Sequence, residues 1–218
     1  MVTRVMVVDE RKELLREPYV VHLGGWSLER YLQEAPDHLI WEFVRGEVVM
    51  HSPATAEHQE LVGFLYRLMA GYCEDRNWGK ILTGPAAVQI LPEVVREPDL
   101  FVLPPEAVSR AKGTPLKVRP ALVVEVISPS TRTIDLKEKV EEYALARIPE
   151  YWAVDSEKRE LLAHRLAGAR FQREHLSRGR VESRAVPGLW LDVGWLFQEP
   201  LPPAAGCLRE LLESSVKG

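Results

Sequence analysis

The sequence predicts an α/β fold in which helices flank a mixed sheet. A strand, a helix and a second strand follow one another at 121–127, 134–147 and 151–154. Ahead of them, a β-hairpin at 41–50 leads into a long amphipathic helix at 56–74. Strands that alternate with helices in this way are typical of one mixed sheet covered by helices. This order argues against an all-β or an all-helical chain.

Turn residues and the spacing of apolar side chains define the elements of the N-terminal half. Ser27 can cap a short helix that runs to about Gln33. Residues 41–50 (WEFVRGEVVM) indicate two short strands joined by an Arg-Gly turn. The helix at 56–74 has an apolar face with a period of 3.6 residues. That face comprises Leu61, Val62, Leu65, Leu68, Met69 and Tyr72.

Short apolar runs predict the elements of the C-terminal half. Residues 121–127 (ALVVEVI) are apolar except for Glu125, as expected of a strand that is buried on both faces. A helix over 134–147 follows, and an added C-terminal meander of strands is expected after it. The predicted strands after the long helix lie at 81–91, 99–103, 121–127, 151–154, 160–166, 170–176 and 180–186.

The length and composition fit a single globular domain with added ends. Of 218 residues, 46% are hydrophobic and 28% charged, which is ordinary for a folded protein. We predict an N-terminal extension at 1–25, a domain at 26–198 and a C-terminal tail with a short helix at 199–218. No apolar run is long enough for a membrane span and no signal-peptide pattern occurs, so a cytoplasmic protein without a membrane partner is expected. Cys73 and Cys207 lie far apart and are expected to be reduced thiols.

Positive charge is concentrated in two stretches of a chain whose net charge is −4. Residues 110–119 carry four Lys or Arg and no acid, and residues 158–184 carry eight Lys or Arg against three Glu. Either stretch can line a phosphate backbone. The second can equally be a solvated edge hairpin, in which positive charge discourages aggregation.

Two acidic residues are the strongest candidates for chemistry. Glu125 interrupts an apolar strand, where a carboxylate is costly to bury unless it is paired or bound to a metal. The alternative is that Glu125 pairs with an arginine across the sheet. Asp99 follows Pro98 at the start of another strand, which by itself is a common turn. Two such carboxylates on adjacent strands repel each other unless a cation lies between them, and hard oxygen ligands favour Mg²⁺ or Mn²⁺ over zinc.

A lysine supplies positive charge close to this pair. Lys139 lies on the helix after Glu125, with Asp135 one turn before it and Tyr143 one turn after it. The alternative is a surface ion pair of Asp135 with Lys139 beside a core tyrosine. A lysine that faces the carboxylates could instead orient a water molecule or stabilise charge on a phosphate. Burial and Asp99 are expected to raise the pKa of Glu125 more strongly than Lys139 lowers it.

The sequence resembles the Uma-two family of restriction-endonuclease-like proteins, within the PD-(D/E)XK nuclease superfamily. The resemblance covers about residues 26–198 and is most specific over 123–155. It implies a restriction-endonuclease-like mixed sheet flanked by helices. The segments that carry the resemblance are WEFVRGEVV, SPATAEHQ, REPDLFVL, ALVVEVISPSTRTIDLKEKVEEY and IPEYWAVD.

The resemblance also implies roles for particular residues. Asp99 and Glu125 correspond to the acidic metal-binding positions, and Glu42 matches a glutamate that could complete the acidic cluster. The superfamily lysine is expected two residues after the glutamate, where this chain has Ile127, whereas Lys139 matches the position of the lysine on the following helix. His58 and Gln59 match a His-Gln pair of the family and are candidate substrate contacts, with a capping or packing role as the alternative for His58. Tyr143, on the same helix face as Lys139, is the third candidate contact.

Two functions of different classes are compatible with these residues. The first is an endonuclease that uses Mg²⁺ or Mn²⁺ to hydrolyse phosphodiester bonds in DNA, as a homodimer if both strands are cut. The second is a catalytically silent nuclease-fold module that binds nucleic acid or a protein partner, which the acidic net charge and the displaced lysine favour. A glycosidase built on a carboxylate pair ranks lower, because a lysine and a buried strand position suit a metal better than a sugar.

Overall fold

Five α-helices, thirteen strands and two short helical turns of other kinds make up residues 19–36 and 39–214, the part of the chain that this computed structural model describes. The strands are β1 (Val20–Gly24), β2 (Trp41–Val44), β3 (Glu47–His51), β4 (Lys80–Thr83), β5 (Val88–Leu91), β6 (Val94–Arg96), β7 (Leu100–Leu103), β8 (Leu122–Ile127), β9 (Glu150–Asp155), β10 (Glu160–Ala167), β11 (Arg170–Leu176), β12 (Arg180–Glu182) and β13 (Trp190–Asp192). The helices are α1 (Leu28–Glu34), α2 (Ala56–Arg76), α3 (Pro105–Val108), α4 (Lys139–Leu145) and α5 (Ala204–Ser214).

The central sheet has six strands in the order β11-β10-β9-β8-β7-β4. Only β8 and β9 are parallel, and the other neighbours are antiparallel. The connection between β8 and β9 passes through a π-helical turn at Ile134–Glu138 and then α4, as a parallel pair requires a crossover. The predicted α/β class with a mixed sheet is therefore confirmed.

Helices cover both faces of this sheet, and the alternation of β8 decides which residues each helix meets. Leu122 and Val124 pack in a core that includes the buried face of α2. Val123 and Ile127 point to the opposite face and join the apolar cluster of Tyr143 on α4. Since side chains alternate along a strand, Glu125 lies on the α4 side.

A five-stranded antiparallel sheet, in the order β1-β3-β2-β6-β5, stands beside the central sheet. Its β2–β3 hairpin is the one predicted from the sequence, and it turns at Arg45 and Gly46, both of which have positive φ. Glycine adopts such a φ without steric cost. Strand β1 lies in the segment predicted as an N-terminal extension and pairs with β3. Residues 1–18 of that segment lie outside the described residues.

The C-terminal meander differs from the prediction in its last strand. Strands β9, β10 and β11 form the expected antiparallel run, but β12 leaves the sheet and pairs with β13. The physical reason is the burial of Val181 in the core that α2 also lines, which draws β12 away from the exposed edge strand β11.

Helix α5 packs against α2 at a close approach of the two helices. A Cβ atom at Gly71 would lie 2.4 Å from the Leu208 side chain, so the missing side chain of Gly71 makes the space for α5. In the described residues, none of the helices combines the length and the apolar character that crossing a membrane requires.

Candidate active site

Asp99 and Glu125 lie side by side where β7 begins next to β8. The backbone N–H of Asp99 donates to Oε2 of Glu125 at 3.1 Å, and the N–H of Val126 donates to Oδ2 of Asp99 at 2.8 Å. This reciprocal pairing follows from the β7–β8 register, in which Leu100 faces Val124. The two carboxylates singled out in the sequence are thus held together by backbone geometry.

The ammonium of Lys139 lies among buried carboxylates. Its Nζ is 2.8 Å from Oε1 of Glu125, 3.0 Å from Oδ1 of Asp135 and 3.8 Å from Oε1 of Glu42. The hydroxyl of Tyr143 donates to the same Glu125 oxygen at 2.8 Å. The Asp135–Lys139 pair and the core position of Tyr143 are as the alternative described them, but the pair is buried, with Lys139 4% exposed. The alternative of an arginine partner for Glu125 is wrong, because the partner is Lys139.

The π-helical turn before α4 brings the Lys139 side chain to this position. The turn places Asp135 and Lys139 next to each other, and both are buried. Turns of this wider kind are rare and occur frequently at functional sites. The strand position two residues after Glu125 is filled by Ile127, which packs in the apolar cluster on the same face. The helix therefore supplies the positive charge that the strand does not.

The electrostatics of Glu125 follow from its surroundings. Burial raises the pKa of Glu125 to about 8, and although Lys139 lowers it, Asp99 and Asp135 raise it further. The net rise in the pKa of Glu125 agrees with the expectation from the sequence, in which burial and Asp99 outweigh Lys139. The pKa of the Lys139 ammonium is raised well above its usual range because, against the effect of burial, Asp135, Glu125 and Glu42 all favour its charged form.

Glu42 belongs to an ion-pair cluster beneath this pair. Its carboxylate accepts from Arg96 at 2.8 Å, from the Glu97 backbone N–H at 3.0 Å and lies 3.0 Å from the His51 ring. Although burial opposes it, Lys139 and Arg96 hold the pKa of Glu42 well below its usual range. Glu42 thus remains ionised and is engaged by its neighbours in the protein.

Arg96 and Glu142 complete the cluster, and the sequence reasoning missed both. Arg96 is fully buried, and its guanidinium donates to Glu42 and, at 2.8 Å, to Glu142. Arg45, from the β2–β3 turn, contacts Glu142 at 3.1 Å. The signal in the sequence is Arg96 directly after the apolar pair at the end of β6, where a charge is costly without a partner.

His58 and Gln59 lie in the first turn of α2, which Thr55 caps. The Nε2 atom of His58 is 3.2 Å from Oδ2 of Asp99 and 3.0 Å from the Val126 carbonyl oxygen. Against the effect of burial, the contact with Asp99 raises the pKa of the His58 ring. Gln59 lines the same cavity with an exposed side chain.

A cavity of about 290 Å³ opens above these residues, and its lining is strongly acidic. Glu97, which the sequence reasoning also missed, has its pKa raised to about 8 by burial and by Glu42. Among the described residues that line the cavity, Lys139 is the one lysine or arginine. The acidic side chains of the lining are Glu42, Glu57, Glu97, Asp99, Glu125, Asp135 and Glu157.

The donor atoms of this cavity fit a divalent cation. In residues 19–36 and 39–214, no three His, Cys, Asp or Glu side chains converge closely enough to form a metal site by themselves. The Asp99 carboxylate and the Val126 carbonyl oxygen nevertheless lie within 3.2 Å of one atom, Nε2 of His58, and Oε2 of Glu125 accepts from the Asp99 backbone N–H. Such hard oxygen atoms are the ligand type that Mg²⁺ and Mn²⁺ prefer. Neighbouring carboxylates in a buried site are also destabilised unless positive charge is close.

A mixed sheet that gathers two carboxylates and a lysine between flanking helices defines the restriction-endonuclease-like class of folds. The family model of Uma2, described as "Putative restriction endonuclease", matches residues 28–194, so the chain belongs to this family. A solved structure titled as a putative nuclease belonging to DUF820 from Anabaena variabilis has a similar fold. Its TM-score is 0.66 at 13% identity, over 79% of this chain and 97% of that chain. No curated protein matches the sequence.

Proposed function

We propose that this protein is an endonuclease that uses a divalent metal ion to hydrolyse phosphodiester bonds in DNA. The observation that carries the proposal is the Asp99–Glu125 pair with the buried ammonium of Lys139 against it. Membership of the Uma2 family and the nuclease-like fold support it.

Each residue has a distinct role in the proposed reaction. Asp99, Glu125 and the Val126 carbonyl would hold Mg²⁺ or Mn²⁺, which when bound supplies a polarised water and neutralises charge on the phosphate. Lys139 and Tyr143 fix the Glu125 carboxylate through Oε1 and leave Oε2 on the Asp99 side. The ammonium of Lys139 also adds positive charge close to the place where the phosphate would lie.

The acidic lining of the cavity explains why the proposed reaction requires metal. A phosphodiester is an anion, and the ionised members of the seven acidic side chains, opposed by one lysine, repel it. A bound divalent cation offsets the negative charge of Asp99 and Glu125, so that substrate binding and metal binding become coupled. We propose that the basic residues of the 110–119 loop or of the 158–184 segment contact the DNA backbone, and that a homodimer places two sites on the two strands.

A catalytically silent module is the second candidate, and a specific observation favours it. Oε1 of Glu125 already accepts from both Lys139 and Tyr143, so the carboxylate is partly satisfied without a metal. In that case the protein would bind nucleic acid or a protein partner and cleave nothing.

A cleavage assay separates the two candidates. Supercoiled plasmid and single-stranded DNA are incubated with the protein and Mg²⁺ or Mn²⁺, with EDTA as the metal-free arm. We expect nicking by the wild type and a loss of about 10²-fold or more in Asp99→Asn and Glu125→Gln, because each removes part of the charged site. Glu60→Gln, an exposed change on α2 outside the cavity lining, is the matched control. DNA binding without cleavage in any metal would establish the silent module instead.

A further inference from the structure

The ring of His58 lies at a convergence of oxygen atoms from two strands. Its Nε2 is 3.2 Å from Oδ2 of Asp99, at the start of β7, and 3.0 Å from the carbonyl of Val126, in β8. Its side chain is 14% exposed and comes from the opposite direction, the first turn of α2. Three elements therefore bring one nitrogen and two oxygen atoms to a single point.

The two oxygen atoms make this point suitable for a cation. A carbonyl oxygen and an ionised carboxylate accept hydrogen bonds and donate none. They can both face one place only if a donor hydrogen or a positive ion is there. In the protein alone an N–H of His58 meets that requirement, and a metal ion would meet it equally.

The other ring nitrogen provides a second observation. Within the described residues, Nδ1 of His58 is buried and has no hydrogen-bond partner. A hydrogen bond through Nδ1 would fix the ring independently of Asp99 and Val126. The ring is instead fixed only through the nitrogen that faces Asp99 and Val126.

We infer that His58 is a metal ligand, and that Nε2 binds a divalent transition-metal ion together with Asp99 and the Val126 carbonyl. This inference rests on the proposed metal site and specifies its ion. An imidazole nitrogen suits transition-metal ions such as Fe²⁺, whereas Mg²⁺ prefers oxygen ligands and water. Mn²⁺ also takes oxygen ligands but, as a transition-metal ion, accepts a nitrogen ligand more readily than Mg²⁺ does. The site therefore selects Mn²⁺ over Mg²⁺, and His58 is the residue that makes the selection.

Electron spin resonance of the full chain with Mn²⁺ tests the inference directly. A nitrogen nucleus bound to Mn²⁺ modulates the electron spin echo, and we expect this modulation in the wild type. It should be lost in His58→Gln and retained in His51→Gln, a matched control whose ring faces Glu42 in the same cavity. Mn²⁺ bound without nitrogen modulation in the wild type would overturn the inference, even if His58→Gln fails to fold.

Calorimetric titration with Mn²⁺ and with Mg²⁺ gives a second measurement. We expect His58→Gln to weaken Mn²⁺ binding about 10–100-fold and to weaken Mg²⁺ binding much less. Unchanged Mn²⁺ binding would show that the ring is not a ligand, and tighter binding would show that it competes with the metal. Absence of binding by the wild type would refute both proposals. Nitrogen modulation without DNA cleavage would refute only the proposed function, and metal-dependent cleavage without modulation would refute only the role of His58.

Discussion

Two glutamates on neighbouring parallel strands are equally deep in the sheet but have different surroundings. Glu150, at the start of β9, is fully buried and does not line the acidic cavity. Glu125, in β8, is 2% exposed and lines the acidic cavity. Five groups surround the Glu150 carboxylate at 2.6–3.3 Å: the side chains of Trp152, Arg165 and Ser183 and the backbone N–H groups of Arg184 and Ala185.

The difference shows that burial alone does not identify a functional carboxylate. Glu150 is surrounded by donors, so it stabilises the connection between β9 and the segment around Ser183. Glu125 has three donors and two acidic neighbours, so its ionised form is incompletely compensated. An open cavity together with incomplete compensation is what distinguishes a candidate site from a structural anchor.

The largest loss of stability is expected for substitution of Arg96, which has a structural role like that of the groups around Glu150. Arg96→Met should lower the free energy of unfolding by about 3–5 kcal/mol, because it leaves Glu42 and Glu142 buried without their guanidinium. Urea denaturation at pH 7 measures the change. Arg119→Met, at an exposed arginine, is the control and should stay within about 0.5 kcal/mol.

A smaller loss is expected at Glu150. Glu150→Gln should destabilise by about 2–3 kcal/mol, since an amide cannot accept from all the donors that now face both carboxylate oxygens. The control is Glu174→Gln, which removes the exposed carboxylate that also contacts Arg165. If both changes cost the same in a thermal melt, Glu150 is not the anchor that the contacts indicate.

His164 lies outside the acidic cavity, and its titration gives a further test of the comparison. It stacks on Tyr151, and burial, with a contribution from Arg173, lowers its pKa to about 4. Because the folded pKa lies below the unfolded value of about 6.5, its stabilising contribution is present above pH 6.5 and is lost as the pH falls toward 4. When the pH is lowered from 7.5 to 5, the free energy of unfolding of His164→Phe should rise by about 1–2 kcal/mol relative to that of the wild type. The prediction would be refuted if urea denaturation gave the same change in the free energy of unfolding between the two pH values for both proteins.

The smallest effect on the free energy of unfolding is expected for Glu125→Gln without metal, and its sign should change with pH. Its folded pKa of about 8 lies above the unfolded value, so its contribution to stability is present below about pH 4.5 and is lost as the pH rises through 8. At pH 6, Glu125→Gln should cost about 1 kcal/mol or less, because an amide resembles the protonated carboxyl. At pH 9 the variant should be the more stable protein. A loss of several kcal/mol at both pH values would make Glu125 an anchor like Glu150.

Local patterns in the sequence were sufficient for much of the fold and for part of the candidate site. Apolar periodicity located α2 and β8, and the register between β7 and β8 then placed Asp99 against Glu125. Arg96 and Glu142 were missed because they lie 46 residues apart, and their pairing depends on how the two sheets stand together. Periodicity also could not show that β12 pairs with β13. The catalytic and metal-binding roles of the site residues stay predictions.

Lys139 and Ile127 border the same cavity from different elements, and this has a consequence for recognising related proteins. A motif search that requires a lysine two positions after the glutamate passes over this chain, although an ammonium is 2.8 Å from Glu125. A motif with fixed residue spacing covers only one of the structural elements that can place a charged side chain next to the glutamate. A survey of such folds therefore finds more candidates if it searches for a lysine by its position in space than if it searches for a lysine at one position in the sequence.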